Sequence, residues 1–229
     1  MKIVSIIPAR SGSKSIPKKN IQLLNGLPLL AYSIRYSIQS SMVNKTCVST
    51  DSSDIAALAV EHGATVPFLR PKKFSTDTSQ DFEFMRHALD FFEHEGDSYD
   101  YYVLLRPTSP LRPSGLIERG ISIMEKHPEC TSVRSVAVTK EHPYRAWVLN
   151  DDGSMSSFVE DIFESYNIPR QSLPTALFQT GDIEVIRRRT LLSGSISGEC
   201  VFPLVLRHED MIDIDHWDDL KAANEKLSL

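Results

Sequence analysis

Short apolar runs alternate with amphipathic stretches along most of the chain. Residues 2–7 form an apolar run stopped by Pro8, the pattern of a buried parallel strand. Runs at 46–49, 65–69, 101–105 and 131–138 repeat it. Between them lie helix patterns. Pro28 opens one at its first turn, continued by Leu29, Leu30, Tyr32, Ser33 and Ile34. Residues 51–54 cap the apolar stretch 55–60, which Gly63 ends. Residues 79–94 and 114–126 carry helical periodicity as well. Repeated strand–helix units of this size predict an α/β fold: a parallel sheet with helices on both faces, taking ligands at the carboxyl ends of its strands.

The rhythm breaks from Thr139 to about Pro174, where prolines, scattered aromatics and Asn150-Asp151-Asp152-Gly153 predict hairpins or an excursion from the sheet. Residues 179–186 and 201–206 return as strands and 217–227 close as a helix, so 1–229 reads as a single domain with an excursion at about 139–180. A net charge of −5 argues against a general nucleic-acid footprint, and any polyanion must meet a local cluster of cations. Cys47, Cys130 and Cys200 have no metal-ligand spacing and read as reduced thiols. With no signal-peptide pattern and no membrane-length apolar stretch, a soluble cytoplasmic protein is expected.

One segment changes this picture. Pro8-Ala9-Arg10-Ser11-Gly12-Ser13-Lys14-Ser15-Ile16-Pro17-Lys18-Lys19-Asn20 follows the first strand, at the carboxyl edge of the sheet. It holds four cations between Arg10 and Asn20, with hydroxyls and a glycine that permits close backbone approach. That chemistry suits a triphosphate, although the spacing matches neither the Walker lysine nor the three-glycine dinucleotide loop. A solvated basic loop is the alternative.

The loop resembles the signature of the acylneuraminate cytidylyltransferase family, whose members activate sialic, legionaminic and pseudaminic acids. The resemblance continues in order through Val48-Ser49-Thr50-Asp51, Pro67-Phe68-Leu69-Arg70-Pro71, Leu104 to Arg112, Pro169-Arg170-Gln171-Ser172-Leu173-Pro174 and Ile212-Asp213-Ile214-Asp215. It implies a mostly parallel, Rossmann-like nucleotidyltransferase sheet with helices on both faces and a small protruding dimerisation segment. It also implies a homodimer, and a reaction in which the anomeric hydroxyl of an acidic nine-carbon sugar attacks the α-phosphorus of CTP with Mg²⁺ present.

By that resemblance Arg10 holds the α-phosphate, and Lys14 and Lys19 hold the rest of the triphosphate with amides from Ser11, Gly12 and Ser13. Lys18 is either a helper or solvated. Asn20 reads the cytosine end, since an amide both donates and accepts, unless it only forms a turn. Arg70 and Asp81 belong to the nucleotide pocket, Arg70 being alternatively a surface guanidinium. Asp213 and Asp215 fall on one face of an extended segment with the isoleucines inward. Mg²⁺ would join two such hard-oxygen ligands, and the alternative is an acidic cap on the last helix. Arg10, Lys19 and Asp215 carry the catalytic expectation. Around the sugar the resemblance places Arg106, Thr108 and Ser109, together with Arg145, Arg170 and Gln171 of the excursion, which reach a neighbour's site, the alternative for Arg145 and Arg170 being exposed arginines of a mobile hairpin.

Two departures bear on the sugar. Sialic-acid-activating relatives usually have glutamine where this chain has Arg106, and often Gly-Ala-Ile-Tyr where it has Gly181-Asp182-Ile183-Glu184. The changes suit an altered polar or amino-substituted sugar. An eight-carbon acid such as 3-deoxy-octulosonate, or a non-catalytic nucleotide-binding regulatory role, are the competing readings.

Overall fold

The computed structural model describes residues 1–227. The chain runs through β1 (Ile3–Pro8), a small hairpin of β2 (Leu23–Leu24) and β3 (Leu27–Pro28), α1 (Leu29–Gln39), β4 (Lys45–Ser49), α2 (Ser53–Glu61), α3 (Asp81–His94) and β5 (Tyr101–Leu104). It continues through α4 (Leu116–Lys126), β6 (Ser132–Val138), the hairpin β7 (Trp147–Leu149) and β8 (Met155–Ser157), β9 (Leu177–Arg187), α5 (Arg188–Leu192), β10 (Val201–Val205) and α6 (Trp217–Leu227). Local signals explain the boundaries. The Ser52 hydroxyl accepts from the Ile55 amide to cap α2, and Gly63, at φ +92°, turns the chain after it. Glu83 accepts from the Gln80 amide at the start of α3.

Six strands form one sheet in the order β10-β6-β9-β5-β1-β4. β4 and β5 flank β1 in parallel, β10 is parallel to β6, and β9 runs antiparallel to both β5 and β6. The sheet is thus mostly parallel, as the strand–helix rhythm implies, with one reversed strand. The reversal follows from the excursion. The chain leaves β6 and returns at the same edge, where the Thr139 amide donates to the Ala176 carbonyl at 3.0 Å. With no crossover helix to carry it back, the next strand enters running the other way.

Residues 65–69 are not a strand as expected. Thr65 and Leu69 make single bridges to Cys47 and Thr50, and the chain bows away between them, where Pro67 has no amide to donate. The short α5 carries no sequence signal that predicts it.

Ile3, Ile7 and Val48 pack against Leu30 and Ile34 of α1 and Ile117 and Ile121 of α4. On the other face Val4, Ile6, Tyr102 and Leu104 meet Phe84, Met85, Leu89 and Phe92 of α3. The central strands bury both faces, hence their unbroken apolar runs. A separate small core joins Ile16, Leu24, Leu29, Ile214, Leu220 and Ala223. It fastens the basic loop, through Ile16, to the segment carrying the paired aspartates, through Ile214. Full burial of one such isoleucine contributes about 1.5–3 kcal/mol, enough to anchor an otherwise polar loop. Among the described residues, no helix is long and apolar enough to cross a membrane.

Candidate active site

At the carboxyl ends of β1 and β5 the loops that follow them enclose a cleft of about 520 Å³. The first loop leaves β1 at Pro8 and is anchored by Ile16, so its polar residues face outward into the cleft. Arg10, Gly12, Ser13, Lys14, Lys19 and Asn20 all line it. Asn20 donates from Nδ2 to the Arg10 carbonyl at 3.0 Å, closing the loop on itself. Lys18 sits at φ 53° and turns the chain so that Lys19 points inward, while its own side chain is exposed. Lys19 is held firmly. Its ammonium donates to Asp215 Oδ1 at 2.8 Å and to the Ile214 carbonyl at 3.1 Å.

Ser11 departs from expectation. Its amide and hydroxyl donate to the two oxygens of Asp51 at 2.8 and 2.7 Å, so they are spent on shaping the loop. Burial pushes the Asp51 pKa up, but the Ser11 bonds, together with the Asp51 amide and the Arg70 charge, outweigh it and hold the carboxyl below its ordinary value.

Across the cleft, Asp77 receives Arg10 Nη1 at 2.9 Å and Lys14 Nζ at 2.7 Å. Arg10 also donates to the Thr76 carbonyl at 2.8 Å. A carboxylate therefore already satisfies the two cations expected to meet phosphate. Nothing in the run of serines, threonines and aspartate around Asp77 signals this position, because it has neither periodicity nor motif. Arg70 is buried rather than on the surface. Nε donates to Ser49 Oγ at 3.0 Å, Nη2 to the Ser49 carbonyl, and the guanidinium lies 4.8 Å from the Phe84 ring centroid. Burial lowers its pKa to about 10, which leaves it charged at neutral pH.

Asp213 and Asp215 alternate with a fully buried Ile214, as the spacing predicts. Asp215 lines the cleft. The cap on α6 is supplied by a different residue: Asp219 Oδ2 accepts from the amides of Asp215 and His216 at 3.0 and 2.7 Å. The Asp215 carboxylate is therefore not consumed by the helix. Desolvation raises the Asp213 pKa, and the neighbouring Asp215 charge adds to this against the pull of the Thr108 hydroxyl and Lys19. A cation would relieve that crowding. Among the described residues, no group of three or more metal-ligating side chains gathers.

Arg106 and Thr108 line the cleft, but Ser109 does not. It is fully buried, with its hydroxyl close behind the Gly181 backbone. Arg106 is no free cation: Nη2 donates both to Asp81 Oδ2 and to Glu184 Oε1, the latter at 2.7 Å. Asp81 also lines the cleft, with its carboxylate turned to Arg106. Arg112, singled out only as part of a motif, is buried and braces the loop from within.

A model of the cytidylyltransferase family matches residues 4–192. The chain belongs to the cytidylyltransferase family. It is 34% identical over 229 residues to a CMP-N,N'-diacetyllegionaminic acid synthase of Legionella pneumophila, covering 99% of this chain and 96% of that one. It is 34% identical over 227 residues to a pseudaminic acid cytidylyltransferase of Campylobacter jejuni, with 97% and 95% covered. An N-acylneuraminate cytidylyltransferase of Escherichia coli is also 34% identical over 97% of this chain, which spans 51% of that longer protein. A CMP:2-keto-3-deoxy-manno-octonic acid synthetase shares the fold at TM-score 0.72 and 17% identity, covering 100% of this chain and 99% of that one. A 4-diphosphocytidyl-2C-methyl-D-erythritol synthase from Anaerococcus prevotii shares it at TM-score 0.68 and 13% identity, with the same coverage.

In this cytidylyltransferase the remaining three expected residues lie apart from the cleft lining. Arg145, Arg170 and Gln171 are exposed on the excursion, and Arg145 donates to the Ile168 carbonyl at 3.4 Å. The same excursion exposes Leu149, Met155, Phe158 and Phe163, the last at 92%.

Proposed function

We propose that this chain couples CTP to an acidic nine-carbon sugar, forming a CMP-sugar and releasing pyrophosphate. The observation that carries the reading is the convergence on one cleft of Arg10, Lys14 and Lys19 from the first loop with Asp215 from near the end of the chain. The near-complete overlap with the legionaminic and pseudaminic acid enzymes supports the nine-carbon choice.

CTP displaces Asp77 from Arg10 and Lys14, and its phosphates take over those cations. Arg10 then neutralises the charge that develops at the α-phosphate while the sugar's anomeric hydroxyl gives its proton to solvent, its oxygen bonds to phosphorus, and the bond from the α-phosphorus to the α–β bridging oxygen breaks to release pyrophosphate. Lys19 keeps the phosphates and the Asp215 segment in register. Transfers of this kind depend on alignment and charge neutralisation more than on covalent help from the protein. Asn20 and the buried Arg70 shape the nucleoside end. Asp213 and Asp215 would hold Mg²⁺, which when bound neutralises the triphosphate and polarises phosphorus.

The excursion is the proposed dimer contact. Its exposed apolar side chains form the face for a second copy, which would bring Arg145, Arg170 and Gln171 to the partner's sugar site, where guanidinium suits a carboxylate. Mixing an inactive Lys19→Met chain with an inactive Arg170→Ala chain would then restore about a quarter of wild-type activity, since a two-fold dimer rebuilds one composite site in half the molecules. No restoration would refute the exchange.

The deciding experiment is pyrophosphate release with CTP and Mg²⁺ across N-acetylneuraminic, legionaminic, pseudaminic and 3-deoxy-octulosonic acids. Turnover with one nine-carbon acid is expected. Turnover with the octulosonic acid alone would move the enzyme to an eight-carbon substrate, and silence with CTP still bound would overturn the reading.

A further inference from the structure

Cys130 and Cys200 are far apart in the chain but neighbours in the fold. Cys130 stands just before β6 and Cys200 just before β10, and these strands pair in parallel with Ser132 opposite Val201. Carrying that register back one place sets Cys200 opposite Thr131, where the Thr131 amide donates to the Cys200 carbonyl at 2.8 Å. Thr131 Oγ1 accepts from the Cys200 amide at 3.0 Å and offers its hydrogen to the Ser197 and Cys200 carbonyls at 2.7 and 2.8 Å. Gly198, at φ +68°, is pressed so close that a β-carbon there would lie 2.5 Å from the Thr131 β-carbon. The segment from Ser197 to Cys200 is therefore fixed against the residue that follows Cys130.

Neighbouring strands lie about 4.8 Å apart and a stagger of one residue adds about 3.3 Å along the strand, which puts the two α-carbons about 6 Å apart. A disulfide spans α-carbons about 4.4–6.8 Å apart. The side chains also share a face. Cys130 belongs to the core on the α4 side with Met124 and Leu204, and Phe202 packs against the same core. Cys200, two places before Phe202, turns the same way. Cys130 Sγ donates to the Ser132 carbonyl at 3.2 Å and accepts from the Phe202 amide, so the sulfur sits between the two strands. Burial raises the Cys130 pKa, the Phe202 amide lowers it, and the neighbouring Cys200 raises it again. Access separates the three cysteines. Cys200 is half-buried, Cys130 is fully buried, and Cys47 is fully buried in the other core, its thiol pushed up to about 12 by burial. A reagent in solution meets Cys200 first and Cys130 only through it.

We propose that Cys130 and Cys200 form a thiol–disulfide exchange site, which a small disulfide such as oxidised glutathione closes into an intramolecular bond. The Cys200 thiolate attacks one sulfur of the reagent, its S–S bond breaks, and the departing glutathione thiolate takes up the proton that Cys200 lost. Cys130 then gives up its proton, attacks the Cys200 sulfur and releases the second glutathione. Two protein thiols are oxidised by two electrons, and one glutathione disulfide is reduced to two thiols. The bond joins the edge strand β10 to β6 and closes a long loop containing the excursion and β9, which restricts the unfolded chain. It lies at the amino ends of these strands, whereas the cleft lies at the carboxyl ends of β1 and β5. It therefore acts on stability and not on nucleotide binding.

The test treats reduced protein with oxidised glutathione and counts free thiols in denaturant. The count should fall from three to one, with Cys47 the survivor, no glutathione mass retained, and a proteolytic peptide pair joined through Cys130 and Cys200. The urea midpoint of the oxidised form should rise by about 1 M, with the Kd for CTP held within about twofold. Cys130→Ser should keep one glutathione on Cys200. Cys200→Ser should keep both of its remaining thiols, because no accessible sulfur is left to start the exchange. If Cys130→Ser does not fold, Cys200→Ser and the wild-type count decide. A glutathione retained on wild-type Cys200, a disulfide between two chains, an unreactive Cys200, or an oxidised form no more stable than the reduced one would overturn the inference.

Discussion

Replacing Arg112 by alanine tests how the loop from Arg106 to Arg112 is held. The side chain is 8% exposed and serves three acceptors. Nε donates to the Asp182 carbonyl at 2.5 Å, Nη1 to Ser33 Oγ at 3.0 Å, and Nη2 to the Arg106 carbonyl. Its guanidinium carbon lies 5.7 Å from the Tyr36 ring centroid. Burial lowers its pKa to about 10, so it remains a cation at neutral pH. Truncation removes one desolvated charge, which is favourable, but takes the guanidinium donor from the Asp182 carbonyl at a cost of about 1–3 kcal/mol, whereas the Arg106 carbonyl keeps the Ser33 hydroxyl and the Ser109 amide as donors. Adding the lost packing of the stem, about 0.8 kcal/mol per buried methylene, gives a destabilisation of about 2–4 kcal/mol. With an m-value of about 2–3 kcal/mol/M, the urea midpoint should fall by about 1–2 M. Arg112→Lys should recover little, because a single ammonium cannot span three diverging acceptors. A fall below about 0.3 M with unchanged m, or full rescue by lysine, would refute the reasoning.

Lys19→Met should lower kcat/KM by about a hundred- to a thousandfold. Stability should change by no more than about 1 kcal/mol, because the partner carboxylate is exposed; a stability loss matching the activity loss would make Lys19 structural instead. Asp77→Asn should lower the KM for CTP without lowering kcat, since it frees Arg10 and Lys14 from a competing carboxylate; a raised KM would show that Asp77 assists the nucleotide. Asp97, bonded by Lys45 and then by the Tyr99 hydroxyl, is held down to about 2. A depressed carboxyl pKa contributes stability that is present above the unfolded value, near 3.8, and is lost as pH falls towards 2. After solvent screening this is worth about 1 kcal/mol. Asp97→Asn should therefore lower the urea midpoint at pH 7 and flatten its decline between pH 4 and 2; parallel pH profiles would remove Asp97 from the acid limb.

Much of this protein was legible in local pattern. The strands at Ile3–Pro8, Lys45–Ser49 and Tyr101–Leu104, the cap before α2 and the exposed hairpin at Asn150-Asp151-Asp152-Gly153 all follow from residues within a few positions of one another. The phosphate-suited composition of the loop from Arg10 to Asn20 is equally local, and so is the alternation that turns Asp213 and Asp215 away from Ile214. Tertiary structure decided what lies opposite what. It reversed β9, bowed residues 65–69 off the sheet, spent Ser11 on Asp51, buried Ser109, and set Asp77 between Arg10 and Lys14. It also joined Arg106 to Glu184 and gave the cap of α6 to Asp219 rather than Asp215. The physical reason is range. Periodicity and capping depend on the spacing of near neighbours, whereas these contacts depend on sheet order, which gathers the carboxyl ends of strands that are distant in the chain.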